Sequence, residues 1–388
     1  ANGEISNWQN DLQWKGHINT LNLHANGIQF IVDNLGQQFH IPIEITRLGN
    51  IYFKGDCSGR RKDIALKGKL HTDAGNATLA VNLQNNHFKG NIETAGIALG
   101  RIIDNAQFGN FKAKLNAEGY WLNNVLSMKA KGAIDLFDYN QYTYHNISLN
   151  AAIKKKNRQI DFNGKFDMDD PNGEIHLNGS LSNMGKLFNA KLQANVAHFN
   201  PKSLRLSTQI PAAFFGMQIE ANIKGHNLNT ALGSIRIKDF DMQAPDKHYH
   251  LNTLSLQADT TKGIHTICLD SDFGQMRLKG NYDYATLSNS ITNIIATKLP
   301  TLPGLPRYKK IKTNDFSFEA EIQKSDWLQQ VLNIDLDLQR PLRLNMMVND
   351  RHHLMDIFAQ MPSFTYAGQH FERGYLHIAT VQDTLKAN

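Results

Sequence analysis

Cysteine is almost missing from this sequence: Cys57 and Cys268 are the only two in 388 residues. Two thiols cannot supply a CxxC pair, a zinc set or a disulfide framework, and no other pattern calls for a metal or cofactor. Long apolar runs are missing too. No stretch reaches the eighteen or so residues that a membrane-spanning helix needs. The opening "ANGEISNWQNDLQWKG" lacks the basic and apolar regions of a secretory leader. Strand-like alternation is already under way at residue 1, so the chain reads as a piece of a longer one. Concentrated charge is also lacking. The 41 basic residues exceed the 35 acidic ones by only six, in short clusters at Arg60-Arg61-Lys62, Lys154-Lys155-Lys156 and Lys309-Lys310. A nucleic-acid binder concentrates its cations in a stripe, so no nucleic-acid partner is expected.

Catalytic signatures are scarce as well. There is no GxSxG, no HExxH, no phosphate-cradling glycine loop and no kinase set. His248 and His250 share a strand face, but two ligands do not make a zinc site. His352 and His353 diverge on an expected helix. Asp167, Asp169 and Asp170 precede Pro171 without a bidentate Glu at calcium-loop spacing, which makes them part of a turn. Three Asn-x-Ser/Thr matches, at Asn76, Asn146 and Asn178, are what chance gives in an Asn-rich chain. The expectation is a protein that is not an enzyme.

What is present is alternation of period two, repeated from end to end. In "QIDFNGKFDMDDPNGEIHLNGSL" the residues Ile160, Phe162, Phe166 and Met168 fall on one side. Asp161, Asn163, Lys165 and Asp167 fall on the other. After Asp170-Pro171-Asn172-Gly173, a turn with Pro and Gly at favoured positions, Ile175 and Leu177 resume the pattern. One apolar and one polar face per strand follow from that period. The same pattern places Leu79, Val81 and Leu83 together, then Phe111 with Leu115, and Ile147 with Leu149 and Ile153. It continues through Leu192 and Val196, Ile219 and Ile223, Leu254 and Leu256, Phe316 and Phe318, and Leu342 and Leu344. "DNLGQ", "DAGN", "NNHF", "APDK" and "TTKG" mark turns between strands. No helix alternates with the strands, which excludes a parallel α/β sheet.

Short helices are expected near 97–105, 285–298, 325–333 and 351–361, the last stopping before Pro362. The Pro-rich and basic segment 299–315 is the one linker candidate, between a continuous β region over 1–298 and further strands over 316–388. Amphipathic strands without other domain punctuation suggest a quasi-one-dimensional stack. Alanine and glycine mixed among the large apolar positions leave room for a cleft. In such a stack Cys57 and Cys268 lie many strands apart and stay unpaired, with Cys268 turned away from the cleft.

The stretches Gly68–Leu122 ("GKLHTDAGNATLAVNL…") and Tyr139–Gly179 ("YNQYTYHNISLNAAIK…DDPNGEIHLNG") resemble the TamB branch of the AsmA-like envelope proteins. The resemblance fades but persists through "LDSDFGQMRLKGNYDY" (Leu269–Tyr284). It lies in the order of degenerate strand-and-turn pieces over more than half the chain. It implies an all-β, elongated, open half-pipe (β-taco-like) with an apolar groove, lined here by the inward residues named above. It further implies a periplasmic protein of a Gram-negative cell that conducts glycerophospholipids between inner and outer membranes. Its partners would be acyl chains, an outer-membrane β-barrel protein docked through a C-terminal domain, and the inner membrane reached by an N-terminal anchor. Neither terminal segment is recognisable in this sequence. A scaffold for outer-membrane protein assembly shares the same fold, and a closed β-helix binding or cleaving polysaccharide is the reading from a different class.

Overall fold

The computed structural model describes residues 2–6, 13–24, 27, 46–60, 63–122, 124–184, 186–208, 212–299, 304, 313–332, 334–381 and 384–387. They form two compact units. Unit 1 comprises Ala1–Gly185 and Val196–Ala212, and unit 2 comprises Lys186–Asn195 and Ala213–Asn388.

In unit 1 the strands follow one another as β1 (Asn2–Ser6), β2 (Gln13–Leu23), β3 (Ile51–Arg60), β4 (Asp63–Thr72), β5 (Gly75–Gln84) and β6 (His87–Ala98). A one-turn helix, α1 (Leu99–Ile103), precedes β7 (Phe108–Leu122), β8 (Val125–Tyr139), β9 (Tyr142–Lys156), β10 (Gln159–Asp170) and β11 (Gly173–Met184). Each strand pairs antiparallel with the next. β12 (Leu187–Phe199) is divided between the units.

Unit 2 continues with β13 (Phe214–Gly225), β14 (Leu232–Ala244), β15 (Lys247–Thr261), β16 (Ile264–Ser271) and β17 (Gly274–Asn281). Then come α2 (Leu287–Lys298), β18 (Asp315–Ile322), α3 (Asp326–Leu332), β19 (Leu336–Leu338), β20 (Leu342–Asn349), β21 (Leu354–Tyr366), β22 (Gln369–Val381) and β23 (Thr384–Ala387). Pairing is again antiparallel and sequential, except that β18 pairs with β20 and the short β19 pairs with the far end of β21.

The fold is therefore predominantly antiparallel β with few short helices, and in neither unit does the first described strand pair with the last. Each sheet is open. A closed β-helix would need parallel coils, so that fold is excluded by the antiparallel ladders.

Several asparagines sit in tight turns. Asn85-Asn86, Asn140-Gln141, Lys262-Gly263 and Ala367-Gly368 all have positive φ at both central residues. That is the mirror-image turn whose twist matches a two-residue hairpin, and Asn and Gly enter it at least cost. Gly55 and Gly68 are glycines for a different reason. They face each other across β3 and β4, and a Cβ on Gly55 would run into the Lys67 carbonyl oxygen and the Gly68 Cα.

Helices appear where expected at 99–103, 287–298 and 326–332. The helix expected near 351–361 is instead a single 3₁₀ turn, Asp350–His352, followed by β21. Met355, Ile357, Ala359 and Met361 also satisfy a two-residue period, and pairing with β20 and β22 on both sides decides for the strand. Pro362 is tolerated because it lies past Gln360, the last residue paired to β20, and opposite Arg373, where the β21–β22 ladder skips one pair and φ is +60°. Most of the expected linker 299–315 lies outside the described residues.

Candidate functional site

The antiparallel register lines the apolar residues of unit 1 into rows that cross its strands. One row runs Ile64–Leu83–Phe88–Gly119–Met128–Ile153–Phe162–Leu181. The next is made of small residues at its far end, Leu66–Val81–Gly90–Ala117–Ala130–Ala151–Gly164–Gly179. A third runs Gly68–Leu79–Ile92–Leu115–Gly132–Leu149–Phe166–Leu177. Sequence periodicity thus becomes a continuous apolar surface, because an in-register sheet keeps every inward position on one face.

Much of that surface has no cover. Leu83 is 40% exposed, Ile92 43%, Phe162 36% and Leu181 44%. Ile160 lies in the rim row beside Lys155, with Leu126 and Trp121 beyond. The opposite, polar face carries exposed ion pairs such as Lys112–Asp135 at 3.2 Å and Lys114–Glu93 at 3.3 Å. Such pairs contribute little to stability.

One end of this face is covered by the chain itself. Ile147, Tyr144, Met168 and Leu204 are buried together, with Phe137, Phe166, Ile175 and Phe199 packed against them. Leu204 comes from the turn after β12 and is fully buried. Its carbonyl accepts a hydrogen bond from Tyr144 Oη at 2.8 Å, and the Arg205 carbonyl accepts one from Asn140 Nδ2 at 2.7 Å. Burial, with the neighbouring Tyr142 and Asp170, pushes the Tyr144 phenol up to about 12. So Ile147, Phe166 and Ile175 belong to an internal core, while Phe162 faces outward from it. Phe111 adjoins the same end through Phe137, edge to face at 6.0 Å.

The acidic turn is structural. Asp170 accepts hydrogen bonds from Tyr142 Oη at 2.5 Å, His145 N at 3.0 Å and Asn172 N at 2.9 Å, pinning the β9–β10–β11 corner. The His pairs are equally occupied. His248 Nε2 lies 2.7 Å and His250 Nδ1 3.7 Å from Asp241. Desolvation pulls the Asp241 carboxyl upward, but the hydrogen bonds from His248 and Gln243 and the two imidazole charges outweigh it and hold it below the usual range. Among the described residues no group of three or more His, Cys, Asp or Glu is placed to hold a metal.

In unit 2 the helices do what Leu204 does in unit 1, at both ends. Ile294 of α2 is buried on Phe316, Val348 and Met355, with Leu278, Phe318 and Met346 around them. Trp327 and Val331 of α3 pack on a second core of Met242, Tyr249, Leu251 and Phe273, which Leu254 adjoins. The Phe273 and Trp327 rings lie 4.7 Å apart. Between these covered ends, Ile223, Leu256 and Phe318 border a cavity of about 560 Å³.

Ile219 lies opposite Ile237, next to Leu254, while Leu342 and Leu344 lie opposite Ile322 and Ala320. Leu192 and Val196 occupy half-buried alternate positions of β12. Outside β12, the register sets the expected residues of each unit on its apolar face, but their cover differs. Sequence reasoning missed Leu204 as a cover, because it does not sit in an alternating strand. It also missed Leu66 and Ile92 as parts of the open surface, although their alternation was available. Cys57 joins the apolar row beside Leu66. Cys268 lies opposite Gln257 and Arg277 on the polar side, and both thiols are free.

No family model, no curated protein and no solved structure matches this chain.

Proposed function

We propose that this protein holds and passes the aliphatic tails of glycerophospholipids along the apolar faces of its open sheets, bridging the two membranes of a Gram-negative envelope. One observation carries the reading. Large aliphatic and aromatic side chains in successive strands of unit 1 remain exposed on one face, where soluble sheets ordinarily bury theirs. A tail laid on such a face gains about 0.8 kcal/mol per buried CH₂, and an open edge leaves its headgroup in water. The resemblance of Gly68–Leu122 and Tyr139–Gly179 to the TamB branch supports the same cargo, a periplasmic location and an outer-membrane barrel partner.

The test is chemical. The protein purified from a Gram-negative host without detergent should carry phospholipid, identified by mass spectrometry. A photo-crosslinking residue at Phe162 should capture it, and one at Asp161, on the polar face, should not. Equal capture at both positions, or no lipid at either, would overturn the reading.

A further inference from the structure

The apolar face of unit 2 is not of even depth. In the cross-strand row Ile223–Gly233–Ala258–Ile267–Leu278–Phe318, two adjacent members have almost no side chain. The 560 Å³ cavity opens where they lie. The hollow is fixed by the backbone. Gly233 has φ +127°, and a Cβ there would strike the Asn222 carbonyl oxygen, so that position admits no larger residue.

One side of the cavity is bordered by Leu228, at the start of a single 3₁₀ turn, Leu228–Thr230, and by Ala231 after it. The turn is self-capped: the Asn227 side chain accepts from Thr230 N, and Thr230 Oγ1 accepts from Asn227 N, both at 3.2 Å. It is also tied to its surroundings. His265 Nε2 lies 3.1 Å from the Ala231 carbonyl while its Nδ1 meets Tyr282 Oη at 2.9 Å. Asn229 Oδ1 accepts from Tyr284 N at 3.0 Å. Leu228 borders the cavity yet is 80% exposed.

We infer that this cavity is a seat for one unbranched aliphatic chain, and that the turn Asn227–Ala231, pinned by His265, retains the chain once it has entered. This deepens the lipid reading and rests on it: tails would pause at one place instead of sliding evenly. The lining decides the occupant. Among its described lining residues, only Ser234 and Tyr284 have side chains with oxygen or nitrogen, so a ligand rich in hydrogen-bonding groups would leave its own groups unpaired. The volume lies within the usual range of small-ligand sites.

The probe is cis-parinaric acid titrated by fluorescence into the full chain, with a diazirine-bearing palmitic acid for mapping. Expected results are saturable one-to-one binding and crosslinks in the peptides holding Leu228–Leu232 and Ile267–Leu278. Ala258→Trp, filling the hollow, should weaken binding at least tenfold with an unchanged circular dichroism spectrum. His265→Ala should keep the stoichiometry and release the probe several-fold faster. Crosslinks elsewhere, several equivalent sites, or wild-type affinity in a folded Ala258→Trp would overturn the seat; an unchanged release rate in His265→Ala would overturn the role of the turn. Should Ala258→Trp fail to fold, the crosslink map of the unaltered chain decides. Crosslinks at the cavity with no phospholipid at Phe162 would keep the seat and sink the transport reading, and the converse result would sink the seat alone.

Discussion

Leu204 and Phe162 are both large, apolar and surrounded by strands, yet their surroundings assign opposite costs to losing them. Leu204 is fully buried against Tyr144, Ile147 and Met168, so Leu204→Ala should cost about 2–5 kcal/mol through lost transfer energy and a cavity. Phe162, on the open face, should lose at most about 1 kcal/mol on truncation. Chemical denaturation of the two variants measures the contrast. At the polar face, His176 has carboxylate acceptors at both ring nitrogens, Asp167 2.8 Å from Nδ1 and Glu174 3.0 Å from Nε2. Those hydrogen bonds raise the His176 pKa, and the bond from His176 foremost lowers that of Asp167. The signs follow. Stability from the raised histidine is present below pH 6.5 and lost as pH rises through its folded value. Stability from the lowered carboxylate is present above pH 3.8 and lost as pH falls through its folded value. The pair therefore contributes most between those limits. NMR titration should find His176 above its model-peptide midpoint, and Asp167→Asn should move it down.

At the scale of elements, α2 is held to its sheet by a buried polar knot as well as by Ile294. Asn314, with no exposed surface, donates from Nδ2 to Ser290 Oγ at 2.6 Å and accepts from Asp283 N at 2.8 Å. Asp350 Oδ2 accepts from both Asn314 N and Ser290 Oγ, at 2.8 and 2.7 Å. Truncating Asn314 removes its side-chain bonds to Ser290 Oγ and from Asp283 N, at about 1–3 kcal/mol for each group left unsatisfied. Asn314→Ala should therefore loosen α2 before the sheet. Hydrogen exchange should rise over 287–298 and stay slow in β18. Equal acceleration in both would show that helix and sheet open as one unit.

For the whole molecule, the difference between covered and uncovered apolar face sets the expected response to charge. Phe162→Asp places a carboxylate where water reaches it, so the fold should persist while lipid capture fails. Ile147→Asp, on the same sheet but 4% exposed, buries an unpaired charge and should unfold unit 1 at a cost of several kcal/mol. Circular dichroism and melting separate the two outcomes, and unfolding by Phe162→Asp would mean that its face is a closed core. Cys57 and Cys268 should both react with a thiol reagent in the native chain, giving two equivalents without reduction.

The two-residue period of Ile160–Phe166 and Ile175–Leu177 determined by itself that these segments are amphipathic strands. The turn residues between them determined sequential antiparallel pairing, since alternation and turn preference are local properties of the backbone. Local properties could not place Met355–Met361, whose spacing also suits a helix; partners on both sides made it a strand. Nor could they tell Ile147 from Phe162. Both alternate identically, and only tertiary packing brought Leu204 over one and left the other bare. The same holds for the seat bordered by Ile223 and Leu256: a glycine and an alanine read as mere gaps in two separate strands. They become a cavity only where the register sets Gly233 against Ala258, because volume is a property of neighbours in space and not of neighbours in sequence.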